Sequence, residues 1–345
     1  MDKRTTIYDI AARLGISTAT VNRALTGKPR VKEETRNLVL QTAEEMGFRP
    51  NTLARSLGRR RLRFAAVGFT SFPEFHTAFL NGVRDEGNVL ADYHVSVDCF
   101  GFDQGASDSE EALAYLNNTL IQVADEGYDG VLVLGRMVSA FEYLRERNVC
   151  VATVVNDIED RNLRLFTVCS RHRTAGRMAA ELLYRMMADK QRPVAIASGF
   201  PTVIAHSETE KGFREQLLHT PLNLKAVIYN HDNTEMAYDH TKQLLHSVPD
   251  LGAIYINSFN CTGVVRAAAD CGRAEDLLII ASDISSDLKA LIGEGRVAAS
   301  IFQDQYAQGR LGLRRMYDYL AYSNPVADIN EISPQIIIQS NLSLF

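Results

Sequence analysis

No run of eighteen apolar residues occurs in the 345 residues of this chain, so no membrane-crossing helix is expected. The opening Met-Asp-Lys-Arg-Thr-Thr lacks the apolar stretch of a secretion signal, and the expectation is a cytoplasmic protein with no membrane partner. Cysteine is sparse. The five residues Cys99, Cys150, Cys169, Cys261 and Cys271 are odd in number and contain no Cys-x-x-Cys pair, which predicts buried thiols in a reducing compartment. The eight histidines lack metal-ligand spacing, so no metal site is expected. Gly-x-Gly-x-x-Gly, Walker and Gly-x-Ser-x-Gly motifs are missing as well, which leaves no catalytic residue to name, no cofactor and no enzyme activity in view.

What is present is divided by charge. Residues 1–63 carry 14 Lys+Arg against 6 Asp+Glu, a net +8, although the whole chain has a net −5. The remainder is therefore −13, and a small basic head precedes a large acidic body. Nucleic acid is the partner that this asymmetry favours.

The head reads as a helix-turn-helix. Thr6 can cap a first helix with Asp9 reaching back to it, while Ile7, Ile10, Ala11 and Leu14 repeat at helical spacing. Gly15 supplies the left-handed turn, Ile16 plugs it, and Ser17 can cap a second helix. Val21, Ala24 and Leu25 would face inward, leaving Thr18, Ala19, Asn22 and Arg23 exposed in the layout of a major-groove recognition helix. A third helix is expected over Lys32 to Met46, with Leu38, Val39, Ala43 and Met46 facing the first two and Gly47 ending it. Asn51 can cap a further short helix carrying Leu53, Ala54 and Leu57, too short to be stable alone and expected to order on a partner.

From Leu62 the pattern becomes α/β. Nine short apolar runs, from Arg63–Phe69 to Val297–Phe302, alternate mostly with amphipathic stretches, the signature of a doubly wound parallel sheet. The polar segment Asp157 to Leu165 suggests a seam near 157–166 between two similar lobes, with the chain crossing back near 300–345. The isoleucine-rich Glu331 to Ser340 stretch is expected as an edge or linking strand. The predicted division is 1–50 for the DNA-binding head, 51–61 for a hinge helix and linker, and 62–345 for an effector-binding and dimerisation body.

Pockets in such folds form at the carboxyl ends of strands. Phe72, Phe75, His76, Asn156, Asp157, Asn257, Asp283 and Gln303 stand there, aromatic faces and paired hydrogen-bonding groups of the kind that hold a sugar.

Thr6-Ile-x-Asp-Ile-Ala, Gly15-Ile-Ser, Thr20-Val-Asn-Arg23, Thr35-Arg36, Gly47-Phe-x-Pro-Asn51 and Ala54-Arg-Ser-Leu57 together resemble the LacI/GalR family of bacterial repressors. The body is similar to the sugar-binding periplasmic proteins that form that family's effector domain, so the resemblance spans essentially the whole chain. It implies a repressor acting as a homodimer on double-stranded DNA, with two recognition helices on a palindromic operator and paired hinge helices in the minor groove. Thr18, Ala19 and Arg23 match the family's base-reading positions; Asn22 replaces the usual Ser and would add a base contact or keep a phosphate contact. Thr6, Ser17, Thr20, Arg30, Thr35 and Arg36 would hold the backbone, and Asn51, Ala54, Arg55 and the wedge Leu57 the minor groove. The resemblance also implies a dimer without the tail-tethered tetramer, since no leucine-heptad tail closes the sequence.

Two departures bear on the effector. Arg171-His172 replaces an Asp-Asn pair common in sugar-binding relatives, and Thr209 stands where they often carry arginine. Arg171 therefore joins the predicted effector residues, and a sugar acid or sugar phosphate stands beside a neutral sugar as the expected ligand. The competing reading is a stand-alone solute-binding protein for transport.

Overall fold

The computed structural model describes residues 5–25, 31–46, 48, 60–69, 72–102, 109–134, 138–259 and 261–345. Two compact units meet in sequence at Arg60 and Arg61. The predicted hinge helix, with Asn51, Ala54, Arg55 and Leu57, lies outside the described residues, as does Arg30.

In the head, α1 (Ile7–Leu14) begins with the expected capping box: Thr6 N–H donates to Asp9 at 2.8 Å, and Asp9 N–H donates to Thr6 Oγ1 at 3.4 Å. Gly15 adopts φ 62°, the left-handed conformation that ends α1 and turns the chain into α2 (Thr18–Leu25). Ser17 Oγ accepts from Thr20 N–H at 3.1 Å and so caps α2. Ile10, Ala11, Val21 and Ala24 pack with Val39 and Ala43 of α3 (Glu33–Glu45) into one small core. Leu38, expected to face that core, is 52% exposed. The buried face of α3 runs through Val39, Thr42 and Ala43, and Leu38 sits one residue, about 100°, around the helix from it. Thr6→Ala should cost the head about 1 kcal/mol, readable as a lower melting temperature of its α-helical signal.

In the body the elements run β1 (Leu62–Phe69), α4 (Pro73–Leu90), β2 (Val95–Phe102), α5 (Glu110–Asp125), β3 (Gly130–Leu134), α6 (Ala140–Glu146), β4 (Cys150–Val154), β5 (Phe166–Ser170), α7 (His172–Met186) and β6 (Val194–Ser198). They continue with α8 (Ile204–Leu217), β7 (Leu224–Tyr229), α9 (Thr234–Ser247), β8 (Ala253–Asn257), α10 (Cys261–Asp270), β9 (Leu278–Ser282), α11 (Ser286–Gly293), β10 (Ala299–Phe302), α12 (Gln305–Tyr322), β11 (Ile329–Ile332) and β12 (Gln335–Ile337). Two six-stranded sheets result, in the orders β11-β5-β4-β3-β1-β2 and β12-β10-β9-β8-β6-β7. All pairings are parallel except β10 with β12. Helices cover both faces, as β8 illustrates: Ile254 and Ile256 enter one apolar cluster, Ala253 and Tyr255 another.

The chain passes between the sheets three times, at Arg171, between Phe302 and Gln305, and between Ile332 and Gln335. The first crossing lies beyond the expected seam, because Phe166–Ser170 forms β5 within the first sheet. Thr167, Cys169 and Ser170 interrupt the apolar pattern that would have revealed this strand; its buried Thr167 hydroxyl is satisfied by Thr153 of β4 at 2.5 Å. The polar 157–165 segment is instead the β4–β5 connection. Arg164, with a fully buried side chain, clamps it to Asp157 at 2.6 and 2.8 Å and to Asp328 at 2.6 Å. The Ile-rich tail supplies two strands, β11 to the first sheet and β12 to the second. Of the five thiols, only Cys261 is buried, the other four being half-buried and all five free.

Candidate functional site

On α2, Val21 and Ala24 are buried, while Ala19, Asn22 and Arg23 are exposed and Thr18 half-buried. Positions 19, 22 and 23 are related by i+3 and i+4 and share one helix face, so the segment offers a methyl, an amide and a guanidinium side by side. Thr6 and Ser17, which cap the two helices, are exposed beside them; Thr20, Thr35 and Arg36 are half-buried. Helix N-termini and these polar groups suit phosphate oxygens.

The second site is in the body, where carboxyl ends of strands from both sheets meet. Asp283 follows β9 with φ 65° and is buried. Its carboxylate accepts from Gln303 Nε2 at 3.0 and 3.2 Å and from Gln305 Nε2 at 2.6 Å. Burial raises its pKa to about 6 against the pull of those amide bonds. Asn257 spends its amide hydrogens on Ser198 Oγ at 3.1 Å and the His206 carbonyl at 2.9 Å, leaving its oxygen as the remaining group. Asn156 Oδ1 and Gln303 Oε1 are buried acceptors with no hydrogen-bond partner among the described residues. His76 is buried with its Cβ close over Gly68 of β1.

The mouth of this cleft is spanned from lobe to lobe. Phe259, after β8, meets Phe72 at 4.8 Å and Phe75 edge-on at 5.8 Å between ring centroids. Glu74 accepts from Ser286 N–H at 3.0 Å and Ser286 Oγ at 2.6 Å at the start of α11. A cavity of about 200 Å³ lies among Phe72, Glu74, Phe259 and Ser285. Sequence reasoning missed Phe259 and Glu74; the available signal was their place just beyond β8 and β1.

Asp157 and Arg171 are not part of this group. Both line a separate cavity of about 750 Å³ that none of the other seven predicted effector residues lines. Burial pushes Asp157 up, but bonds from Arg164, Thr167 and the Ile158 N–H outweigh it and hold its pKa below the usual carboxylate range. Arg171 pairs with Glu331 of β11 at 3.2 Å. The β4–β5 clamp and the lobe crossing thus hold Asp157 and Arg171 on a different cavity from that of Phe72.

The pH response of Asp283 has a defined sign. Its folded pKa, about 6, exceeds the ordinary 3.8, so the native state binds the proton more tightly than the unfolded chain. Stability is lost as pH rises through that window, by about 2 to 3 kcal/mol. Asp283→Asn should therefore gain that amount relative to the unsubstituted protein between about pH 4 and about pH 7, measured by urea unfolding at each pH.

Residues 6–51 match the model described as bacterial regulatory proteins, lacI family, and residues 66–324 match the periplasmic binding protein domain. The chain belongs to the LacI family. Among curated relatives, catabolite control protein A of Priestia megaterium is 26% identical over 324 residues, covering 91% of this chain and 92% of that protein. The probable HTH-type transcriptional repressor ExuR of Bacillus subtilis is 25% identical over 248 residues, 70% of this chain and 69% of the relative. In fold, the body of this LacI-family chain is similar to GanP, a glucose-galactose binding protein from Geobacillus stearothermophilus, with TM-score 0.72, 20% identity and coverage of 82% and 99%. AraP, an arabinose binding protein from the same organism, gives TM-score 0.72 at 18% identity, with coverage of 83% and 99%. These two likenesses establish the architecture of the family's body in this chain.

Proposed function

We propose that this LacI-family regulator is a cytoplasmic homodimeric repressor that reads a palindromic operator through Thr18, Ala19, Asn22 and Arg23 of α2 and releases or recruits DNA according to a small polyhydroxylated effector between its lobes. Thr6, Ser17, Thr20, Arg30, Thr35 and Arg36 hold phosphates, and Asn51, Ala54, Arg55 and Leu57 serve the minor groove. No helix among the described residues is long and apolar enough to cross a membrane. Family members are regulators and binding proteins, and we read this chain as a regulator without catalysis; its basic head sets it apart from a transport protein of similar body.

One observation carries the effector reading: the acceptors that stand at the carboxyl ends of the strands, at or just after β4, β8, β9 and β10. An ionised carboxylate, the unpartnered oxygens of Asn156 and Gln303, and the remaining oxygen of Asn257 call for a ligand rich in hydroxyl donors. Phe72, Phe75 and Phe259 give it an apolar face, and His76 backs them. A neutral sugar or polyol fits better than a sugar acid or phosphate, because Arg171, the cation that favoured an anion, lines the other cavity.

A thermal-shift screen over sugars, polyols, sugar acids and sugar phosphates tests this. A neutral polyhydroxylated compound should raise the melting temperature by mass action, and Asp283→Asn should abolish the shift. A response confined to charged ligands would refute it.

A further inference from the structure

The separate cavity has walls from both lobes. Arg161 lies on the β4–β5 connection and Arg171 at the first lobe crossing, while Arg173 and Arg177 belong to α7 and Lys211 to α8. Asp157, Glu208 and Glu331 also line it, so the lining has an excess of two positive charges. Carboxylates outside the lining reach in, Asp328 to Arg161 at 3.4 Å and Glu215 to Arg173 and Arg177 at 3.1 and 3.3 Å. These ion pairs are about half exposed on the cationic side, and exposed pairs exchange partners at little cost. Arg171 meets Glu331 with its Nε at 3.2 Å, and a guanidinium fork can bind two anions at once.

A second, independent observation concerns the floor. Ser170 and His172 flank Arg171 at the crossing, line the cavity and are more than nine-tenths buried, yet Ser170 Oγ and His172 Nδ1 have no hydrogen-bond partner among the described residues. His172 Nε2 lies 3.1 Å from the Val155 carbonyl, which can only accept, so Nε2 carries the proton and Nδ1 is an acceptor. Burial lowers the His172 pKa to about 4, which keeps the ring neutral at physiological pH. The floor thus holds one hydroxyl and one acceptor without partners, beneath five cations that carboxylates already pair.

We propose that this cavity is a second ligand site, for a small phosphate- or carboxylate-bearing molecule, distinct from the effector cleft. Its link to the cleft is Val155. This β-branched residue holds φ 70° and is the centre of a tight turn closed by Asn156 N–H to the Val154 carbonyl at 2.9 Å. Val155 lines the cavity and its carbonyl binds His172 of the second lobe, while the next residue, the effector candidate Asn156, has an unpartnered side-chain oxygen. A ligand that draws the two walls together changes the angle between the lobes and moves that turn.

Pyrophosphate is the probe, titrated calorimetrically into the full-length protein at low salt, with inorganic phosphate as the weaker comparison. The head also attracts phosphate, so Arg36→Gln serves as the control. Arg171→Gln and, separately, Lys211→Gln should weaken pyrophosphate binding at least about tenfold, the loss of one charged hydrogen bond, while Arg36→Gln and Asp283→Asn leave it unchanged. Both side chains are half or more exposed, so neither substitution removes a buried support. Unchanged binding in both Arg171→Gln and Lys211→Gln, binding lost in Arg36→Gln or Asp283→Asn, or no binding to the unsubstituted protein up to about 10 mM would each overturn the proposal.

Discussion

Arg23→Ala is expected to reduce binding at a selected operator to the level of unrelated DNA, about a thousandfold loss. Arg23 stands exposed on α2, beside Asn22 and four residues after Ala19, on a face whose opposite side is pinned by buried Val21 and Ala24. A guanidinium meeting two acceptors of guanine contributes about 1–3 kcal/mol of discrimination, and a homodimer loses that contact in both half-sites. Nonspecific binding should survive with its steep salt dependence, because the phosphate-holding residues remain. Arg36→Ala should behave differently, weakening all sequences alike and lowering the salt slope by about two, one phosphate in each half-site. Competition binding against random DNA separates the two patterns; discrimination retained by Arg23→Ala would remove it from the base-reading set.

Gly176→Val is expected to destabilise the second lobe by at least about 4 kcal/mol. An added Cβ at Gly176 of α7 would lie 1.9 Å from the Thr209 carbonyl oxygen and 2.7 Å from the Phe213 nitrogen of α8. Gly212 of α8 reciprocates, its added Cβ falling 2.0 Å from the Arg173 carbonyl oxygen. The obstacles are backbone atoms of a packed helix and cannot swing away as a side-chain end could, so α7 and α8 must part. Their separation would strip contacts from the cluster holding Ala179, Leu183, Phe213 and Leu217. Urea unfolding measures the cost, and a loss below about 1 kcal/mol would show that the helices can shift cheaply.

Local chemistry was readable from the sequence where neighbours in the chain are neighbours in space. Thr6 with Asp9, Gly15 and Ser17 act as expected because a cap or a turn involves residues a few positions apart. The same holds for strands such as β3, β6 and β8, whose unbroken apolar runs match burial on both faces. β5 escaped notice because its polarity is compensated by a threonine on the next strand and by the Asp157–Arg164 clamp. Residues brought together across the cleft were half legible: Asp283 and Gln303 were named and do meet, whereas Phe259 gains its role only through Phe72 and Phe75 of the other lobe. The cavity that Arg171 lines is not legible in the sequence, because the path of a three-times-crossing chain decides which side of it a residue faces.

The coupling of cleft to head is tested most directly by one titration. An operator is recovered from random-sequence DNA, and its affinity for the full-length protein is measured by fluorescence anisotropy with and without the polyhydroxylated ligand found by thermal shift. The ligand should change operator affinity at least about fivefold in one direction, and Asp283→Asn should bind the same operator without responding. A ligand that raises the melting temperature yet leaves operator affinity unchanged would contradict control of the head from the cleft.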